Sequence, residues 1–270
     1  MPEELSLASV KEVLRFPFRD PNWQNRFIVG SALILAGVVL YFVPIISFVP
    51  FLFVAGYAYR VQRRAARSGE LVLPPWDDWG GLALDGLKGM LVSLVYTLPA
   101  ILCFIGGMVL YYVAIFGMMF PVAFMEDSAS TVVVTMLLMF GSMVLMFLSM
   151  FVGWVLLLLG GVPLPMAIAH FVARDDLAAG FRLRQIWSLI RADKLGYFAA
   201  FIIVFGLFMV LYFASILLYL SMVLCVLLPF VMAPAGFYLA LVNAAVFGLT
   251  YRQSAALAEA GKSEVEVQAA

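Results

Sequence analysis

The sequence predicts an all-α integral membrane protein of about six transmembrane helices. Three observations carry this: the apolar composition, the confinement of the cations to short segments, and the length of the uncharged runs between them. Hydrophobic residues make up 65% of the 270 and charged residues 12%, with 16 Lys and Arg against 16 Asp and Glu. Every cation lies in Lys11–Arg26, Arg60–Lys88, Arg174–Lys194 or Arg252–Lys262. Between them stand the uncharged runs 27–59, 89–125, 128–173 and 195–251, and Glu126 and Asp127 separate the second run from the third.

A bilayer crossing takes ~20 apolar helical residues, so runs of this length are solvated by lipid rather than by a soluble core. Lys and Arg concentrate on the cytoplasmic side. All basic segments share that side if the outer runs cross twice and the middle runs once, which makes six spans with both termini cytoplasmic. Residues 1–26 then form an N-terminal cytoplasmic amphipathic segment, 27–252 the membrane domain and 253–270 a cytoplasmic tail. The first residues lack the short apolar stretch and cleavage site of a signal peptide, so the first span is expected to stay.

The first run leaves ~16 residues for each helix of a pair, the short edge of what spans. Pro44 and Pro50 bracket Ile-Ile-Ser-Phe-Val as the expected hairpin tip, either thin and spanning or re-entrant. The third run reads as one long helix bent near Gly160, Gly161, Pro163 and Pro165. The fourth divides between Ser221 and Pro234. An aromatic and an arginine close three stretches, at Tyr57 to Arg60, His170 to Arg174, and Tyr251-Arg252. A two-unit internal repeat is one reading of that echo.

Polar chemistry concentrates in three amphipathic segments expected to lie in the cytoplasmic headgroup plane. In Phe181–Lys194, Leu183, Ile186, Trp187 and Ile190 recur at helical spacing opposite Arg184, Gln185, Ser188 and Arg191. In Leu73–Lys88, Pro74 and Pro75 suit a helix start, with Asp77 and Asp78 at its positive end. Leu7–Phe16 is the third, stopped by Pro17. Trp76, Trp79, Trp187, Tyr57 and His170 are the expected interfacial anchors.

Phe16-Pro17-Phe18-Arg19-Asp20-Pro21-Asn22-Trp23, Gly30, Gly56-Tyr57-Ala58-Tyr59-Arg60, Leu73-Pro74-Pro75-Trp76-Asp77-Asp78-Trp79 and Asp85-Gly86 together resemble the prokaryotic membrane-protein family known as domain of unknown function 4013. The likeness is specific over residues 16–90 and diffuse to about 252. It implies a polytopic helical protein of a bacterial or archaeal cytoplasmic membrane, and no activity or site residues.

Catalytic readings find little support in the residues. Asp77, Asp78 and Asp85 beside the arginines would suit a metal-dependent lipid-phosphate enzyme, but helix-end charge and positive-inside arginines account for them more simply. His170 has no evident nucleophile or acid beside it. No metal cluster, phosphate loop or cofactor motif is present, and Cys103 and Cys225 sit in apolar spans as free thiols. No ionisable group stands mid-membrane, although Asn243 and the helix-breaking glycines and prolines leave a conduit for a neutral or lipid substrate open. The expectation is a non-enzymatic scaffold or accessory subunit without cofactor or nucleic acid. Its basic collar of Arg60, Arg63, Arg64, Arg67, Arg182, Arg184 and Arg191 would bind anionic headgroups of the cytoplasmic leaflet. Met-rich apolar faces, with Met136, Met139, Met143, Met146 and Met150 among them, would meet a membrane-protein partner or a second copy.

Overall fold

The computed structural model describes residues 7–124, 129–222 and 224–269. Nine α-helices are built from them: α1 (Leu7–Arg15), α2 (Trp23–Val39), α3 (Pro44–Arg67), α4 (Trp79–Phe124), α5 (Ala129–Gly161), α6 (Leu164–Arg174), α7 (Leu183–Ala192), α8 (Lys194–Leu220) and α9 (Leu228–Ala269). There is no strand among the described residues, and six helical segments are long and apolar enough to cross a bilayer. The chain is an all-α, membrane-embedded multi-pass protein. Glu126 and Asp127, expected on the far side, lie outside the described residues.

The first hairpin turns earlier than its prolines imply. The reversal occupies Leu40–Val43, and Pro44 opens α3 instead of closing a tip, because its fixed φ suits a first helical turn whose N–H has no partner anyway. Val43 before it is held out of the helical region, at φ −118° and ψ 88°. Pro50 lies inside α3, one turn on. The length shortfall disappears because both helices recruit polar flanks: α2 begins at Trp23 and α3 runs on to Arg67.

A second correction concerns Leu73–Lys88, which is no separate helix. Residues 69–75 have no helical structure, and α4 starts at Trp79 and passes through Asp85 and Lys88 into the apolar run without a break. Two consecutive prolines bias Leu73 and Pro74 away from helix, so nucleation waits for Asp78, whose Oδ1 accepts the N–H of Gly81 at 3.0 Å. The third run breaks where its glycines and prolines stand, between Gly161 and Leu164, and the fourth turns at Ser221–Met222. α9 continues past Arg252 to Ala269.

Two compact units result, one of residues up to Val92 together with those from Pro165, the other Ser93–Leu164. In the smaller unit the part of α4 from Ser93 onward packs antiparallel against α5. Gly160 meets the Tyr96 carbonyl, Gly153 the Phe104 ring and Gly107 the Ser149 side chain, each glycine letting the neighbouring helix approach. Its hydroxyls bond helix carbonyls: Ser149 donates across the pair to Cys103 O at 2.6 Å, and Thr97 and Ser142 donate to Ser93 O and Met139 O.

The larger unit is organised around α9, which packs against α2, α3, α7 and α8. Phe237 at its centre is fully buried and touches the rings of Phe27, Tyr57 and Trp76. Gly30 is required there, since a Cβ would enter the Phe237 ring. Gly56 and Gly86 let α3 and α4 interlock, each facing a backbone carbonyl of the other helix, Leu82 O and Leu52 O.

Candidate functional site

The motif residues converge on a staple that ties the loop after α3 to four elements. Asp20 pairs with Arg26, and the Arg26 guanidinium also donates to Leu73 O. The Trp76 indole N–H donates back to Arg26 O at 3.2 Å. Tyr57, fully buried in α3, donates its hydroxyl to Pro74 O at 2.7 Å while its ring stacks on Trp76 with centroids 4.1 Å apart. Trp76 stacks in turn on Trp79. Each buried polar atom here has a partner, which is the condition for taking it out of water.

Beside this staple lies an ion network. Asp85, on the second turn of α4 and largely covered, accepts from Arg60 at 3.3 Å and from Arg63 at 3.2 Å. Arg60 also pairs with Asp78 at 2.5 Å, and Arg63 with Asp175 at 3.1 Å and with Val172 O. Asp175 stands at φ +54°, a left-handed conformation that the acid side chain tolerates and that turns the chain just after α6. The Asp78 carboxyl is held below the usual carboxylate range, first by the Gly81 N–H and then by Arg60.

The remaining basic ends join the same place. Arg67 donates to Ala173 O at 2.7 Å. Gly69, at φ +77°, ends α3 with its N–H on Ala65 O, and Arg252 donates to Ser68 O at 3.1 Å alongside. The ends of the first, third and fourth apolar runs therefore meet at one end of the larger unit.

Placed against the sequence expectations, the collar splits. Arg60 and Arg63 are spent on carboxylates and Arg67 on a carbonyl, whereas Arg64, Arg184 and Arg191 are exposed with no ion pair among the described residues. Arg182 is exposed and pairs with Asp176 at 3.2 Å. The expected anchors split too. Trp79 and Trp187 are exposed, at 42% and 41%, while Trp76 is half-buried in the staple. Tyr57 and His170 are buried at 0% and 2%, so neither ring reaches a headgroup layer; each is worth more to the fold inside, where its polar tip has a partner. His170 joins three helices, with Nδ1 3.0 Å from the Tyr251 hydroxyl of α9 and Nε2 3.2 Å from Gln185 Oε1 of α7. A neutral ring satisfies both by accepting from one and donating to the other.

On α7 the covered stripe is Ile186, Leu189 and Ile190, lying toward α9. Trp187, expected with that stripe, belongs to the opposite face with Arg184, Ser188 and Arg191, and these four line an open cavity of 560 Å³. The sequence assigned helical spacing to Leu183, Ile186, Trp187 and Ile190; in the fold Leu183 and Trp187 are exposed and Leu189 completes the covered stripe. Two further residues escaped sequence reasoning. Asp175 and Gln185 act through partners on other helices, Arg63 and His170, and no local pattern announces those pairings. Among the described residues no three of His, Cys, Asp and Glu gather as metal ligands.

The model of the family described as "Protein of unknown function (DUF4013)" matches residues 39–220. The chain belongs to that family. The match covers α3, the Arg60–Asp78–Asp85 network and the whole of α7, and leaves outside it the Phe16–Trp23 motif and Gly30 that also carried the resemblance. No curated protein and no solved structure matches the chain.

Proposed function

We propose that this family member is a non-enzymatic scaffold or accessory subunit of a prokaryotic cytoplasmic membrane, with both termini inside, that holds anionic lipid headgroups of the inner leaflet and a partner membrane protein. One observation carries the reading: Arg184 and Arg191 are exposed, with no carboxylate partner among the described residues, on the outward face of α7, on either side of the exposed ring of Trp187. A cation close to an anionic surface gains ~1 kcal/mol, and an exposed indole suits the headgroup boundary. Arg64 adds a third exposed cation with no ion pair among the described residues. Asp78 and Asp85, the acids a metal-dependent lipid-phosphate enzyme would use, are engaged by Arg60 and Arg63.

The test is lipid enrichment. Chain purified from membranes of defined phosphatidylglycerol and phosphatidylcholine content is expected to retain phosphatidylglycerol above the bulk fraction, and R64Q/R184Q/R191Q to fall to the bulk value. Unchanged enrichment in that variant would remove the basis of the reading.

A second reading, a conduit for a neutral substrate, keeps one observation in its favour. Asn243 is the exposed residue in a stretch of α9, from Met232 to Tyr251, that is otherwise covered or half-covered. An amide there can bond a passing polar group as well as a partner helix. Flux through proteoliposomes that Asn243→Leu abolishes would favour transport; loss of a co-purifying protein in the same variant would favour the scaffold.

A further inference from the structure

We infer that the outward face of α7 is a site for one lipid bearing two phosphates, each arginine taking one phosphate. This rests on the headgroup reading and names its ligand class. Arg184 and Arg191 are seven residues apart, which on an α-helix puts them on one face and about 10 Å apart along the axis. That separation is too long for both to share one phosphate without bending toward each other, and suits two phosphates joined by a short linker. The residues between them complete the seat. The Ser188 hydroxyl donates its proton to Gln185 O at 2.7 Å, so its oxygen is left as an acceptor at the middle of the face, where a linker hydroxyl would donate. Trp187 offers an exposed ring beside it for the acyl-glycerol region.

The opposite stripe holds the site in place. Ile186, Leu189 and Ile190 are buried, Gln185 is tied to His170, and Asp193 caps α8 immediately after α7 by accepting the Gly196 N–H at 2.9 Å. Neither arginine contributes to that packing, so neutralising them changes the surface and leaves the fold alone. Binding two phosphates of one molecule costs its loss of freedom once, which is the source of preference over two separate single-phosphate lipids.

The test is native mass spectrometry of the full chain in detergent, titrated with tetraoleoyl diphosphatidylglycerol or with dioleoyl phosphatidylglycerol at equal phosphate. One diphosphate lipid per chain is expected, held about tenfold more tightly than the single-phosphate lipid. R184Q or R191Q alone is expected to weaken it about fivefold and so to cut the preference to about twofold, and R184K/R191K to keep it. Equal binding of the two lipids by the wild type, with both lost in R184Q/R191Q, would overturn the two-phosphate site and leave the anionic-surface reading standing. Wild-type binding of both lipids by R184Q/R191Q would overturn both at α7. Thermal unfolding of the variants, expected to match the wild type, separates lost binding from lost fold.

Discussion

α3 and α7 both carry arginines that the charge pattern assigns to one collar, yet the fold uses them in opposite ways. Arg60 and Arg63 of α3 meet Asp78, Asp85 and Asp175 and are about four-fifths covered. Arg184 and Arg191 of α7 meet no acid among the described residues and stay exposed. The difference lies in what packs alongside. α3 is crossed by α4 at the glycine interlock of Gly56 and Gly86, which brings Asp85 against it, while α7 turns an apolar stripe to α9 and leaves its basic face free. Surface charge in such a protein is a matter of which acids the helix crossings deliver.

The sharpest way to break this comparison is Asp85→Ala. It removes the carboxylate that Arg60 and Arg63 share and leaves them Asp78 and Asp175, so the loss is that of charged hydrogen bonds, about 1.5–3 kcal/mol, and the unfolding midpoint in detergent should fall clearly. Arg191→Gln, by the same measurement, should lie within about 0.5 kcal/mol of wild type. A fall of similar size in both would mean that α7 is stapled as α3 is.

Tyr57→Phe is expected to cost about 1 kcal/mol, since it removes one buried hydroxyl bond to Pro74 O and keeps the ring on Trp76. Proteolysis of the loop after Arg67 should rise in step; an unchanged cleavage rate would show that the loop is held by the Arg26 contacts alone.

The smallest effect is in pH. Because the Asp78 carboxyl is held below its unfolded value of about 3.9, its pairing contributes fully above that pH and is lost as pH falls through the folded value. Asp78→Asn keeps the helix cap and loses the ion pair. The gap between its midpoint and the wild type's should therefore be present near neutrality and close in acid; a gap that widens in acid would contradict the Arg60 pairing.

Much of the fold was legible in the residues. Cation-free runs located the membrane-length helices, the glycines and prolines after Gly160 marked the break before α6, and Ser221 lay at the turn before α9. The first hairpin was misplaced because a proline signals both a helix start and a helix stop, and only the chain that precedes it decides which. Tyr57 and His170 were taken for interfacial rings because an aromatic next to an arginine looks the same in sequence whether it faces lipid or three helices.

The sequence by itself determined that this chain is helical and lives in a bilayer, since a run without charge or backbone partners has no other stable solvent or shape. It also made α7 amphipathic, because helical periodicity is local, while packing against α9 decided that Leu189 joins the covered stripe and Trp187 the basic face. Only the tertiary structure decided which cations are spent and which are spare, because an ion pair such as Arg63 with Asp175 depends on a helix crossing between residues distant along the chain, and that geometry is written in no single segment.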